Sequence, residues 1–309
     1  MPMDFNHVSV MLGECIEGLS IKPDGIYLDG TAGGAGHSFE IAKRLTTGRL
    51  IALDQDPDAI QTATERLSGF EQATVIQANF RNMDSVLAEL GIDKVDGILL
   101  DLGVSSHQLD EAGRGFSYHA DAPLDMRMSQ SGLSAKDVVN TWSAGELTRI
   151  LREYGEEPFA ARIAQNIVRA RERKEIETTF ELADLIRESV PAARRREKNP
   201  CKRTFQAIRI AVNNELDSLS DGLDRAFECL AGGGRLAVLT FHSLEDRMVK
   251  HRYLEWCRGC TCPPEFPVCI CGNKPKARLV NRKPITASEE ELAVNRRSRS
   301  AKLRIIEKL

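Results

Sequence analysis

The sequence predicts an α/β protein whose parallel sheet is interrupted by an all-helical insertion. Short apolar runs alternate with helical patterns over the first hundred residues and again near the end of the chain, which is typical of a sheet with helices on both faces. Between Val104 and about Phe205 the strand patterns stop and helix signals dominate. We therefore assign residues 1–104 and 206–309 to one discontinuous domain, and residues 105–205 to an inserted helical domain.

Four apolar runs, at residues 26–28, 49–54, 74–77 and 95–100, are predicted as the first strands. Helical spacing follows the first three, over residues 38–45, 57–67 and 83–90. In the insertion, capping boxes at Ser134, Ser143 and Thr178 mark helix starts, and a fourth is expected at Ser288. The apolar spacing from Ile208 to Leu230 predicts one long amphipathic helix. Strands are then expected over 236–240 and 301–306.

A glycine-dense turn, DGTAGGAGH at residues 29–37, lies between the first strand and its helix. Glycine lets the backbone approach a ligand closely, and the start of the helix adds free N–H groups. This arrangement holds nucleotide-like cofactors in open α/β sheets. The alternative is a glycine loop that only turns tightly.

Two acids indicate which cofactor this is. Asp29 precedes the glycines, where a carboxylate would repel a pyrophosphate but could accept hydrogen bonds from the ammonium of an amino-acid ligand. Asp54 closes the second strand, where an acid that binds ribose is expected. The pattern suits S-adenosylmethionine better than NAD. Asp54 could also cap the helix that begins near Pro57.

The 309 residues carry a net charge of −3, but the first 104 are acidic and the remainder tends to basic. A basic run, Arg194–Arg203, is either a solvated face or a surface for phosphate contact. The first residues contain no long apolar run, so we expect a cytoplasmic protein without a signal peptide or membrane contact.

Five of the eight cysteines lie between Cys257 and Cys271. Cys260, Cys262, Cys269 and Cys271 could supply four thiolates to one zinc ion. The spacing is not a common zinc-finger pattern, and a proline-rich loop with incidental thiols is the alternative. We therefore include no metal ligand among the predicted site residues.

The chain resembles the RsmH/MraW family of bacterial methyltransferases that act on 16S ribosomal RNA. The resemblance covers nearly the whole chain, and PLDMRM and FHSLEDR are its most specific motifs. The matching stretches are DGTAGGAGH (29–37), ILLDLGVSS (98–106), RGFS (114–117), PLDMRM (123–128), YGEE (154–157), TFQAIRIAVNNEL (204–216), FHSLEDRMVK (241–250) and NRRSRSAKLR (295–304).

The resemblance implies a class I (Rossmann-like) methyltransferase sheet, with the inserted helical domain of residues 105–205 recognising the substrate. It implies that S-adenosylmethionine is the methyl donor and that the acceptor is the exocyclic N4 amine of a cytidine in the decoding region of 16S ribosomal RNA. The substrate would be either this RNA within the small ribosomal subunit or naked RNA. Whether the protein forms a homodimer is left open. The cofactor contacts implied by the motifs are Ala35, Gly36, His37, Asp54, Phe80, Asp101 and Gln108.

Two residues are candidates for catalysis. Asp101 ends the fourth strand beside the expected cofactor crevice, where it could orient the amine and stabilise the developing positive charge. His242 follows the fifth strand and could accept a proton, although an isolated histidine is more often structural. Two other functions remain open from the residues: an NAD-dependent oxidoreductase, and an RNA-binding assembly factor that uses the sheet as a scaffold.

Overall fold

The computed structural model describes residues 9–193, 199–263, 266 and 268–309. The chain divides into two compact units, one of Met1–Gly103 with Asp217–Leu309 and the other of Val104–Leu216. No helix in the described ranges is long and apolar enough to cross a membrane.

The first unit contains a seven-stranded sheet in the order β3-β2-β1-β4-β5-β7-β6. Strands β1 to β5 run parallel, and β7 runs antiparallel to both β5 and β6. The sheet confirms the predicted α/β class. Strands β2 and β3 lie on one side of β1, and β4 lies on the other side. The sheet therefore has a topological switch point between β1 and β4. The strands are β1 (Ile26–Asp29), β2 (Arg49–Asp54), β3 (Ala73–Gln77), β4 (Val95–Asp101), β5 (Leu230–Thr240), β6 (Ala277–Leu279) and β7 (Lys302–Lys308).

Helices account for most of the remaining regular structure. In chain order they are α1 (Leu12–Leu19), α2 (Gly36–Ala42), α3 (Pro57–Leu67), α4 (Met83–Glu89), α5 (Ser106–Asp110), α6 (Ala135–Thr141), α7 (Ala144–Glu153), α8 (Ala160–Arg171), α9 (Thr179–Ser189), α10 (Cys201–Asn213), α11 (Glu215–Cys229), α12 (Ser243–Trp256) and α13 (Glu289–Val294).

The side chains of the sheet alternate between two apolar layers, as expected for strands buried on both faces. On one face, Leu50 and Leu99 pack with residues of α1, α2 and α3. On the other face, Ile51 and Leu100 pack with residues of α4, α11 and α12. The central strands are therefore held from both sides, and their carboxyl ends are fixed in position.

The second unit is helical, from α5 to α10, and has an apolar core of its own. It extends beyond the boundary expected at residue 205, because α10 contributes Phe205 and Ile208 to that core. The capping boxes predicted at Ser134, Ser143 and Thr178 are present.

Two local predictions were wrong. The long helix expected from Ile208 to Leu230 is divided into α10 and α11 at Asn214, which adopts the left-handed conformation (φ 51°) that ends many helices. Ser288 forms only half of a capping box: it accepts from the backbone N–H of Glu291. The Glu291 carboxylate accepts instead from the N–H of Met11, at 2.7 Å.

Candidate active site

Three carboxyl groups lie at the carboxyl ends of adjacent strands. Asp29 closes β1, Asp54 closes β2 and Asp101 closes β4. These ends flank the switch point of the sheet, where α/β proteins bind their ligands. The glycine loop that follows Asp29 connects the three.

Backbone hydrogen bonds fix this loop across the strand ends. The N–H of Gly30 donates to the carbonyl of Leu99 at 2.9 Å, and the N–H of Ala32 donates to the carbonyl of Leu53 at 2.8 Å. A Cβ at Gly30 would lie 2.5 Å from a methyl group of Leu100, so the close approach to β4 requires glycine there. Gly33 has a positive φ of 51°, which glycine adopts without strain.

Asp29 ties the loop to α2. Its carboxylate accepts from the N–H of Thr31 at 3.1 Å and from the hydroxyl of Ser38 at 2.6 Å. The side chain is buried, and this burial raises its pKa above the usual value although the bond from Ser38 opposes the shift. A contact between Asp29 and a ligand ammonium stays a prediction, since both oxygens already hold the loop.

Asp54 joins β2 to the glycine loop. One oxygen accepts from the N–H of Gly33 at 2.8 Å, and the other accepts from the N–H of Asp56 at 2.9 Å. Burial raises the pKa of Asp54 to about 6, although these two bonds partly offset the effect. Asp54 does not cap α3 as the alternative interpretation had it, because Asp56 is the N-cap and accepts from the N–H of Asp58.

Asp101 is the carboxyl group with the fewest partners. Its backbone N–H donates to the hydroxyl of Thr31 at 2.6 Å, which sets the end of β4 against the loop. Its Oδ1 is buried and has no hydrogen-bond partner among the described residues. Burial raises the pKa of Asp101 to about 8, and the nearby negative charges of Asp29 and Glu245 add to the shift.

His37 lies on the second position of α2 and is buried. Its Nε2 is 3.1 Å from the carbonyl of Val10, and its Nδ1 is 3.6 Å from Oδ2 of Asp101. Burial lowers the pKa of His37, so we assign a neutral ring that donates from Nε2 to Val10. The preceding Ala35 adopts a left-handed conformation (φ 56°) and caps α2, and Gly36 opens the helix.

Two other residues predicted to contact the cofactor make structural contacts. The ring of Phe80 packs directly on the backbone of α11 at Gly222. A Cβ at that position would lie 2.5 Å from the ring. Gln108 belongs to the helical unit, where it completes a capping box with Ser105 at the start of α5. Both assignments as cofactor ligands stay predictions.

His242 is the N-cap of α12. Its Nδ1 accepts from the N–H of Glu245 at 3.4 Å, and its Nε2 lies 3.1 Å from the Glu245 carboxylate. Glu245 in turn accepts from the N–H of Phe241 at 2.8 Å. Nδ1 therefore has a structural role as the helix cap, whereas the buried Nε2 makes no hydrogen bond among the described residues despite its short distance to Glu245. A catalytic role for His242 stays a prediction.

Sequence reasoning missed three residues that organise the site. Thr31 positions Asp101, Ser38 holds Asp29, and Glu245 is a buried acid that adds, after burial and Asp29, to the raised pKa of Asp101. Only Glu245 left a signal in the sequence, as an acid three residues after His242 at the start of a helix.

The arrangement favours a cationic ligand. Burial is the largest cause of the raised pKa values of Asp29, Asp54 and Asp101. Neighbouring carboxylates add to the shifts of Asp54 and Asp101, and His37 opposes the shift of Asp29. Two of these carboxyls have pKa values near 6 and 8, and ionisation of either becomes favourable when positive charge enters the crevice. A pyrophosphate would meet repulsion from the same groups.

Comparison with known proteins gives consistent matches over the full length. The family model described as "MraW methylase family" matches residues 4–309. A protein of Lachnospira eligens named "Ribosomal RNA small subunit methyltransferase H" is 58% identical over 99% of both chains. Proteins with the same name from Brevibacillus brevis and Clostridium botulinum are each 54% identical, over 99% of this chain and 99% and 100% of theirs.

Proposed function

The chain belongs to the MraW methylase family, and on this premise we propose that it methylates the exocyclic N4 amine of a cytidine in the decoding region of 16S ribosomal RNA. The donor is S-adenosylmethionine, bound at the carboxyl ends of β1, β2 and β4 by a class I methyltransferase sheet. The relatives named for methylation of small-subunit ribosomal RNA support the substrate class. The reaction takes place in the cytoplasm.

The cluster of three carboxyl groups at the strand ends, Asp29, Asp54 and Asp101, is the observation that carries the choice of cofactor. S-adenosylmethionine brings a sulfonium and an ammonium, and the unpartnered Oδ1 of Asp101 is suited to accept from a bound group. The glycine at residue 30 lets the loop pass close to the side chains of Leu100 and Phe80, where a Cβ would clash. NAD would bring a pyrophosphate into the same acidic crevice, which argues against an oxidoreductase.

When bound, S-adenosylmethionine supplies a methyl group on a good, cationic leaving group. Asp54 binds the ribose hydroxyls while it keeps the loop closed through Gly33. Asp101 orients the cytosine amine and stabilises the positive charge that develops on it. Thr31 fixes the position of Asp101 by accepting its backbone N–H.

Binding of the RNA requires the target base to leave its stack and cationic side chains to contact phosphates. The predicted basic surface is Arg194–Arg203, of which residues 194–198 lie outside the described part of the chain. Arg203 is on α10, where it donates to the carbonyl of Glu156. A further basic group, Arg296, Arg297 and Arg299, lies just before β7.

The test is methyl transfer from labelled S-adenosylmethionine to unmethylated RNA, followed by mass mapping of the product. One arm uses naked 16S ribosomal RNA and the other uses assembled small subunits, so the two forms of substrate are separated. We expect label on the N4 atom of one cytidine. Label on another position, or none in either arm from protein that binds the cofactor, would refute the proposed substrate and leave an assembly factor as the better interpretation. Equilibrium dialysis against NAD is the control for the cofactor.

A further inference from the structure

The segment after α12 brings four cysteines together. The Sγ atoms of Cys260, Cys262, Cys269 and Cys271 all lie within 4.8 Å of one another. The individual separations include 3.3 Å between Cys260 and Cys269, 3.6 Å between Cys269 and Cys271, and 3.7 Å between Cys260 and Cys271. Four sulfur atoms therefore surround one point.

These separations match shared metal coordination better than disulfide bonds. A disulfide places its sulfur atoms about 2.05 Å apart, well below the values found here. A tetrahedral zinc with Zn–S bonds of about 2.3 Å holds its sulfur ligands about 3.8 Å apart. The observed distances of 3.6 and 3.7 Å are close to that geometry, and the third, 3.3 Å, is about 0.5 Å shorter.

Backbone N–H groups point at two of the sulfur atoms. The N–H of Thr261 donates to Cys271 at 3.3 Å, and the N–H of Asn273 donates to the same sulfur at 3.4 Å. The N–H of Ile270 donates to Cys262 at 3.3 Å. Hydrogen bonds to ligand atoms in this manner orient them and stabilise the thiolate charge.

Burial of side chains does little to hold the segment in place, although Asn273 donates to the carbonyl of Gly259 at 2.7 Å. Among its described residues between 258 and 276, none is buried, and Val268 and Ile270 are 70% and 75% exposed. A segment without an apolar core of its own is ordered by other means, of which metal coordination is one. Its ends are close together, since the N–H of Lys276 donates to the carbonyl of Trp256 at 2.8 Å.

We propose that Cys260, Cys262, Cys269 and Cys271 bind one structural zinc ion. Four protein ligands fill a tetrahedral site and leave no position for a reacting water, which is the pattern of a structural centre. On binding, the four thiols lose their protons to solvent and the zinc keeps its oxidation state. The ion fixes the segment between α12 and β6 and takes no part in methyl transfer.

The first experiment measures zinc in the full-length protein by elemental analysis, after purification under reducing conditions and reconstitution with zinc alone. We expect about one zinc ion per chain. Replacement by cobalt should then give the sulfur-to-metal charge-transfer bands and the intense visible bands of a tetrahedral thiolate site. This measurement needs no variant, so it does not depend on whether a variant folds.

The second experiment compares Cys260→Ser and Cys271→Ser with Cys257→Ser as the matched control. Cys257 lies at the end of α12 and is outside the group of four sulfur atoms. We expect Cys257→Ser to retain the metal and each of the other two to lose most of it. Wild-type protein that takes up no zinc after reconstitution, four freely titrating thiols in the presence of zinc, or metal loss in the control alone would each overturn the proposal.

Discussion

Replacing Asp101 by asparagine tests the central electrostatic feature of the site. The substitution keeps the shape of the side chain and removes the charge at the end of β4. In the structure the Asp101 carboxyl has a pKa of about 8, raised first by burial and then by Asp29 and Glu245. Without ligand the carboxyl is therefore mostly protonated near neutral pH. A cationic ligand that binds its charged form has to displace this proton.

The size of the effect follows from this pKa. At about pH 7 roughly one carboxyl in ten is ionised, so ionisation costs about 1.4 kcal/mol. If the cationic cofactor binds the ionised form, Asp101 alone should raise its apparent affinity about tenfold between about pH 6 and about pH 7, with release of nearly one proton at the upper value. In Asp101→Asn only Asp54, with a pKa of about 6, still titrates in this window, which leaves a rise of about twofold.

Calorimetric titration with S-adenosylmethionine, repeated in buffers of different ionisation enthalpy, measures both affinity and proton release. Single-turnover kinetics at saturating cofactor then measures the catalytic share. There we expect Asp101→Asn to be slower by about 10²–10³, because groups that stabilise developing charge are typically worth that much.

Two results would contradict this reasoning. If wild type and Asp101→Asn show the same pH dependence of affinity, the raised pKa of Asp101 does not control cofactor binding. If the variant reaches the wild-type rate once cofactor is saturating, Asp101 only holds the cofactor, and His242 becomes the better catalytic candidate.

The same pKa predicts how the stability of the ligand-free protein depends on pH. An unfolded aspartate titrates near pH 4 (about 3.9), whereas folded Asp101 titrates at about 8. Between these values the folded state binds more protons, so its free energy of unfolding should fall as the pH rises and level off above about 8. Denaturant titrations of wild type and Asp101→Asn at several pH values measure this, and a variant that keeps the full slope would refute it.

Three further changes have defined outcomes. Asp54→Ala should weaken S-adenosylmethionine binding at least about tenfold, because the ribose hydroxyls lose a charged acceptor; unchanged calorimetric affinity in folded protein would remove Asp54 from the site. Asp246→Ala should lower the free energy of unfolding by roughly 3 kcal/mol, because Arg304 then loses a largely buried partner at 2.7 Å. Denaturant unfolding measures this change, and a loss below about 1 kcal/mol would mean that solvent screens the ion pair. Replacing Arg194, Arg195 and Arg196 by alanine should weaken RNA binding and reduce the salt slope by roughly 0.7–0.9 for each lost phosphate contact, with cofactor affinity unchanged; a wild-type slope would show a solvated surface.

The parts of the fold that depend on local pattern could be predicted from the sequence. The apolar runs gave β1, β2, β3 and β4 because strands buried on both faces are continuously hydrophobic. The three capping boxes in the insertion were visible because each is a local exchange of hydrogen bonds over four residues. The break at Asn214 was missed because the apolar spacing continues across it, and only the backbone conformation reveals it.

For the candidate site, the sequence could predict where residues lie in the fold, while their roles stay predictions. Strand ends identified Asp54 and Asp101, because the carboxyl edge of a parallel sheet is known once the strands are known. Contacts distant in sequence were not accessible: the bond from the N–H of Asp101 to Thr31 spans 70 residues, and that of Met11 to Glu291 spans 280. No pattern of neighbouring residues encodes such a pair.

The insertion of Val104–Leu216 between β4 and β5 has a consequence for synthesis of the protein. The N-terminal strands β1 to β4 leave the ribosome first, and β4 must wait for β5 until the whole helical unit and α11 have been translated. At typical rates of about 5–20 residues per second this wait is on the order of 10 s. During that time β4, with Ile98, Leu99 and Leu100 at its centre, presents an unpaired apolar edge of the kind that recruits other strands. The nascent chain is therefore most exposed to mispairing and to chaperone binding while the helical unit is being made.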